Sequence, residues 1–116
     1  MKKNERLESK DRLEHILKAV GTIESYLKRQ TFRSFSENNM LNNAVLFQFS
    51  IIGEAINHVE KEMLDKYQYP WYKVRSFRNL IAHEYFDIHL KAVWNIIEKD
   101  LPELKSVVME VLENEF

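Results

Sequence analysis

Residues 44–59 read AVLFQFSIIGEAINHV, and this stretch decides the fold class. Its apolar side chains fall on nearly every side of a 3.6-residue period, which suits a helix enclosed by several neighbours rather than one lying on a surface. The pattern around it predicts a helix from about Glu37 to Lys66. Upstream, Leu13, Ile16, Leu17, Val20, Ile23 and Leu27 recur at spacings of three and four, one face of an amphipathic helix with Ser9 as its N-cap. Between the two, QTFRSFSEN (30–38) is rich in side chains that compete for backbone hydrogen bonds, so it is expected as a connection ending at a cap near Ser36. Downstream, Pro70 opens a third helix, PWYKVRSFRNLIAHEYF (70–86), because proline is tolerated in a first turn. Asp87 is the expected cap of a fourth, IHLKAVWNIIEKD (88–100). Asp100 and Glu103 flank Pro102 like a capping box, so the last segment either starts a fifth helix or kinks the fourth, and a break is the favoured expectation.

Composition agrees with an all-α, up-and-down bundle of four to five helices spanning 1–116 as one domain. At 45% hydrophobic residues and 12% aromatics the chain can fill one core, and two Gly with two Pro are too few for the turns of an all-β fold. Seventeen basic against eighteen acidic residues exclude a global basic field, so any nucleic-acid contact has to be local. The absence of cysteine removes disulfides, thiolate metal sites and cysteine nucleophiles. With a charged N-terminus and no apolar run of membrane-spanning length, the chain is expected to be cytoplasmic, with no membrane contact.

The eight residues RNLIAHEY (78–85) concentrate the chemistry. On an ideal helix Val74, Phe77, Ile81 and Tyr85 share the core-facing side, whereas His83 lies about 180° from Val74, alongside Tyr72, Ser76, Asn79 and Phe86. Aromatic and polar groups together on an outward face point to a contact surface. Arg78 falls about 140° from His83, so the two converge only through the reach of the arginine, a helix end or a second subunit. The spacing alone leaves His83 open between a catalytic group and a histidine hydrogen-bonded at a dimer interface, and Tyr85 reads as a core tyrosine with its hydroxyl at the rim. His15 and His58 are expected on wet or half-buried helix faces, and His89 at the end of a turn.

Glu54, inside the most apolar helix, needs a cationic partner, for which Arg78 is the candidate. The alternative is that Gly53 and Ala55 serve close helix approach while Glu54 points to water. No glycine-rich phosphate loop, Ser/His/Asp arrangement or metal-ligand spacing is present in the sequence, so no metal and no cofactor is expected.

IIGEAIN (51–57), PWYKVRSFRNLIAHEYF (70–86) and VWNIIEKDLPEL (93–104) together resemble the HepT-like toxins of the HEPN superfamily of helical ribonucleases. The likeness runs from the first helix to Leu104 and centres on an Arg-x4-His-x-Tyr pattern, here Arg78, His83 and Tyr85. After Phe86 many relatives carry a glycine and then an aspartate, where this chain has Asp87 and His89, which bears on how the fourth helix is capped. The resemblance implies a homodimer whose third helices line a shared cleft, and metal-independent cleavage of RNA there. It implies Arg78 and His83 as catalytic residues, with Asn79 and Glu54 supporting them. It further implies a minimal nucleotidyltransferase as antitoxin, silencing the toxin by attaching AMP to Tyr85. Rival readings are a non-catalytic nucleotide- or substrate-binding subunit of a nucleotidyltransferase complex, and a dimerisation module.

Overall fold

The computed structural model describes residues 3–79 and 89–116. All regular elements among them are helical: α1 (Lys3–Leu27), α2 (Phe32–Glu37), α3 (Asn39–Ile56), α4 (Lys61–Leu64), α5 (Trp71–Arg75) running into a 3-10 turn (Ser76–Asn79), α6 (Leu90–Asn95), a π segment (Ile96–Asp100) and α7 (Leu101–Glu115). α1 lies against both α3 and α7, and the 3-10 turn and α5 pack on α3. The long helix read from residues 44–59 is therefore the central one.

Its inner positions Val45, Phe49, Ile52 and Ile56 are fully buried, as are Leu13, Ile16, Val20 and Ile23 of α1. The α1 stripe is the one expected from its spacing, whereas α3, expected to be enclosed on all sides, buries one side only and leaves Phe47 58% exposed, because its neighbouring helices do not cover that side. Burying side chains of this size contributes about 1.5–3 kcal/mol each, which is why α1 and α3 dominate the core. Trp71, Val74 and Phe77 close it from the side of the site, with the Phe77 ring set edge-on to Phe49 at 5.1 Å and 81°.

Helix ends differ from the expectations, each for a local physical reason. α1 begins at Lys3, so Ser9 lies inside it and caps nothing. It is fully buried, and its hydroxyl accepts the Glu60 backbone N–H at 3.0 Å. The segment 30–38 contains a short helix of its own, capped by Thr31 in a reciprocal capping box with Ser34. Asn38, not Ser36, caps the central helix by accepting from Leu41 N–H at 3.1 Å. That helix stops at Ile56 instead of running to Lys66, and the chain turns into α4. There the Trp71 indole N–H donates to the Leu64 carbonyl at 3.0 Å.

Pro102 does not break the chain into separate helices. Asn95, Ile96, Asp100 and Leu101 all keep right-handed helical dihedrals, and Leu101 N–H donates back to Ile96 carbonyl, five residues earlier. Proline supplies no N–H and its ring crowds the carbonyl four residues back; a widened π turn just ahead of Pro102 relieves that crowding without ending the helix. Asp100 forms no side-chain cap there. The expected cap at Asp87 and the continuation of the third helix to Phe86 lie outside the described residues.

Candidate active site

Gly53, buried near the C-terminal end of α3, determines where Arg78 sits. A Cβ built on Gly53 would lie 2.5 Å from the Arg78 backbone nitrogen and 3.2 Å from its Cα. Only glycine lets the 3-10 turn rest directly on α3. Close approach was one of the two readings of the GEA triplet, and Ala55 beside it is buried as that reading requires.

The other reading holds as well. The Arg78 guanidinium reaches Glu54, Nη1 to Oε2, at 3.7 Å, with both side chains about half exposed. Glu54 also meets His58 one turn on, Nε2 to Oε1, at 3.0 Å. The other ring nitrogen of His58 lies 3.8 Å from Glu8 of α1, which in turn faces Arg12 at 4.0 Å. The hydrogen bond from His58, helped by the positive charges of His58, Arg78 and Arg12, holds the Glu54 carboxyl below its ordinary 4.5 despite some desolvation. The expectation for His58 was only a wet or half-buried face, although its spacing of four from Glu54 in the helical pattern was a usable signal.

The third helix divides as the wheel predicted over its described part. Val74 and Phe77 are buried, whereas Tyr72, Ser76 and Asn79 are exposed, Tyr72 at 69%. From Ser76 the chain tightens into the 3-10 turn, so a uniform 100° wheel no longer applies at Arg78 and Asn79. Asn79 ends this turn on the exposed side. His83 and Tyr85, and with them Ile81 and Phe86, lie outside the described residues. His15 is on an exposed face of α1 as expected, His58 is exposed but in the turn after α3, which ends at Ile56, and His89 directly precedes α6.

Chemically, the site offers a guanidinium whose backbone rests on Gly53 and whose head, about half exposed, faces a carboxylate at 3.7 Å. A planar donor fork of this kind matches a phosphate. Among the described residues no group of three or more His, Asp or Glu side chains is arranged to hold a metal ion. No described helix is long and apolar enough to cross a membrane.

Residues 16–111 match the family described as ribonuclease HepT-like. A Methanocaldococcus jannaschii protein named as a gamma-glutamylcyclotransferase and, provisionally, an RNase is 34% identical over 102 residues, covering 87% of this chain and 46% of that protein. A Caldanaerobacter subterraneus protein named provisionally as an RNase is 34% identical over 104 residues, 89% of this chain and 93% of its own length. A Thermococcus cleftensis protein named as a probable ribonuclease HepT is 29% identical over 98 residues, 84% of this chain and 89% of its own. No solved structure matches the chain. With the family match spanning both the central α3 and the Arg78 turn seated on it, this chain belongs to the HepT-like ribonuclease family.

Proposed function

We propose that the chain is an endoribonuclease toxin that cleaves RNA without a metal, at a cleft shared by two copies, and that a minimal nucleotidyltransferase antitoxin silences it. The observation that carries this reading is the exposed Arg78 guanidinium, fixed on α3 at the head of the Arg-x4-His-x-Tyr sequence of a ribonuclease family. Cleavage by transesterification needs a base to take the ribose 2'-hydroxyl proton and an acid to protonate the leaving 5'-oxygen. Imidazoles suit both steps, and one His83 from each copy supplies the pair. Arg78 stabilises the charge that develops on the phosphorane oxygens, and Asn79 holds a phosphate oxygen beside it.

The exposed Tyr72 and Asn79 surface supports dimerisation, since an aromatic side chain left in water loses the gain of burial. In this arrangement AMP on Tyr85 brings negative charge and bulk to the cleft and pairs with the guanidinium intended for RNA.

The decisive experiment expresses wild type, Arg78→Ala and His83→Ala chains and incubates the purified proteins with total cellular RNA with and without EDTA. Wild type is expected as a dimer by light scattering, cleaving RNA equally in EDTA, with each substitution lowering the rate by about 10² or more while leaving the helical spectrum unchanged. Full activity of His83→Ala, or loss of wild-type activity in EDTA, would require another mechanism. With the nucleotidyltransferase and ATP, intact mass should show an AMP-sized gain on wild type and none on Tyr85→Phe; an equal gain on both would defeat the assignment of Tyr85.

A further inference from the structure

Glu54 divides its two carboxylate oxygens between different partners. Oε1 faces His58 Nε2 at 3.0 Å, and Oε2 faces Arg78 Nη1 at 3.7 Å. Beyond the ring, His58 Nδ1 faces Glu8 at 3.8 Å, and Glu8 faces Arg12. A continuous row of alternating polar groups thus runs from α1, over the C-terminal part of α3, to the 3-10 turn that carries Arg78. The row is made of side chains that are a third to a half exposed, so screening by water limits what its charges contribute to folding. Its effect is on direction. Arginine has a long stem with many rotamers, and a guanidinium is useful to a transition state only if its donors already point to where charge will develop.

The backbone of Arg78 is set by Gly53, which admits no Cβ at this contact. Among the described residues its head group meets the carboxylate of Glu54, and the orientation of that carboxylate is in turn set by His58. A guanidinium carries five N–H donors, and the Arg78 head is about half exposed, so an ion pair through Nη1 leaves it accessible to a phosphate.

Resting on the reading of Arg78 as the group that meets the RNA phosphate, we propose that Glu54 and His58 are positioning residues: His58 orients the Glu54 carboxylate, and Glu54 aims the Arg78 guanidinium. Neither touches substrate. Glu8 and Arg12 form the outer end of the row and steady the His58 ring.

Two measurements on the full chain test this together. The first is the initial rate of cleavage of total cellular RNA by wild type, Glu54→Gln, His58→Ala and His58→Gln. The second is the Nε–Hε resonance of Arg78 in 15N-labelled protein without RNA, assigned by its loss in Arg78→Ala. Glu54→Gln is expected to slow cleavage about three- to ten-fold and to shift or broaden the Arg78 resonance, with only a small fall in thermal midpoint because the group is half exposed. His58→Ala should do the same more weakly, whereas His58→Gln, whose amide still offers an N–H to Oε1, should restore most of both. An unmoved Arg78 resonance in Glu54→Gln, or a wild-type rate despite a moved one, overturns the proposal. If wild type leaves total RNA intact, the ribonuclease reading fails by itself, and the resonance still decides whether Glu54 restrains Arg78.

Discussion

The two glycines of the chain both lie inside helices, and they answer the same substitution in opposite ways. Gly21 is exposed on α1, with nothing within 4 Å of the position a Cβ would take. Alanine there removes conformational freedom from the unfolded chain and fits the helix, so Gly21→Ala should stabilise by about 0.5–1 kcal/mol. At Gly53 the same propensity gain meets the Arg78 backbone nitrogen at 2.5 Å, and backbone within a packed turn cannot swing aside as a side-chain tip would. The cost of such overpacking is about 1–3 kcal/mol, so Gly53→Ala should be net destabilising despite its better helix propensity. Denaturant midpoints of the two variants should therefore move in opposite directions from wild type. A rise for both would mean that the contact between Gly53 and the Arg78 turn does not exist.

The turn that ends α3 is held by a side chain brought from elsewhere. The turn between α3 and α4 places the Glu60 N–H where the buried Ser9 hydroxyl receives it at 3.0 Å. Removing that hydroxyl leaves a donor without its acceptor in a closed site, which costs about 1–3 kcal/mol. Ser9→Ala should therefore lower the denaturant midpoint and speed hydrogen exchange at the Glu60 amide. Unchanged exchange there would show that the hydroxyl does not hold the turn. The same principle governs the C-terminal helices, where a π turn ahead of Pro102 lets α6 and α7 follow each other without a loop. A proline in a helical pattern signals strain, and the chain can absorb it by widening as well as by breaking.

Across the whole molecule, charged groups near the termini join distant parts of the chain. Glu115 of α7 accepts from Lys66 Nζ and from the Tyr67 hydroxyl, each at 2.9 Å, in the connection between α4 and α5. Arg6 of α1 donates to the Glu115 carbonyl and lies 5.0 Å from the centre of the Phe116 ring. The Lys66 and Tyr67 hydrogen bonds hold the Glu115 carboxyl below its ordinary 4.5, as His58 and Arg78 do for Glu54. A carboxyl whose value is depressed on folding stabilises the native state above its unfolded value, and that contribution disappears as pH falls through the depressed one. The denaturant midpoint should therefore decline with acidification below about pH 4.5. Glu115→Gln should be less stable than wild type at neutral pH, and the two should converge in acid. A constant gap between them across that range would show that the carboxylate charge is not what joins these segments.

The sequence by itself determined the helical class, the central position of residues 44–59 and the inward stripe of α1, because burial on a helix is written in a local 3.6-residue period; which side of the apolar α3 stays uncovered, with Phe47 on it, was not written there. It also determined the division of the third helix, with Val74 and Phe77 inward and Tyr72 and Asn79 outward, and the family, through the residues around Gly53 and Arg78. Where helices stop was decided only by tertiary structure. Thr31 and Asn38 cap α2 and α3 locally, but the turn after α3 is held from far along the chain, by Ser9 on Glu60, and no local pattern records that contact. Arg78 was legible as a candidate, and so was its pairing with Glu54. That Gly53 seats its backbone, and that His58 and Glu8 extend the row behind Glu54, depended on three segments meeting at one end of α3. Such convergence is set by packing of the whole core, which a one-dimensional pattern does not contain.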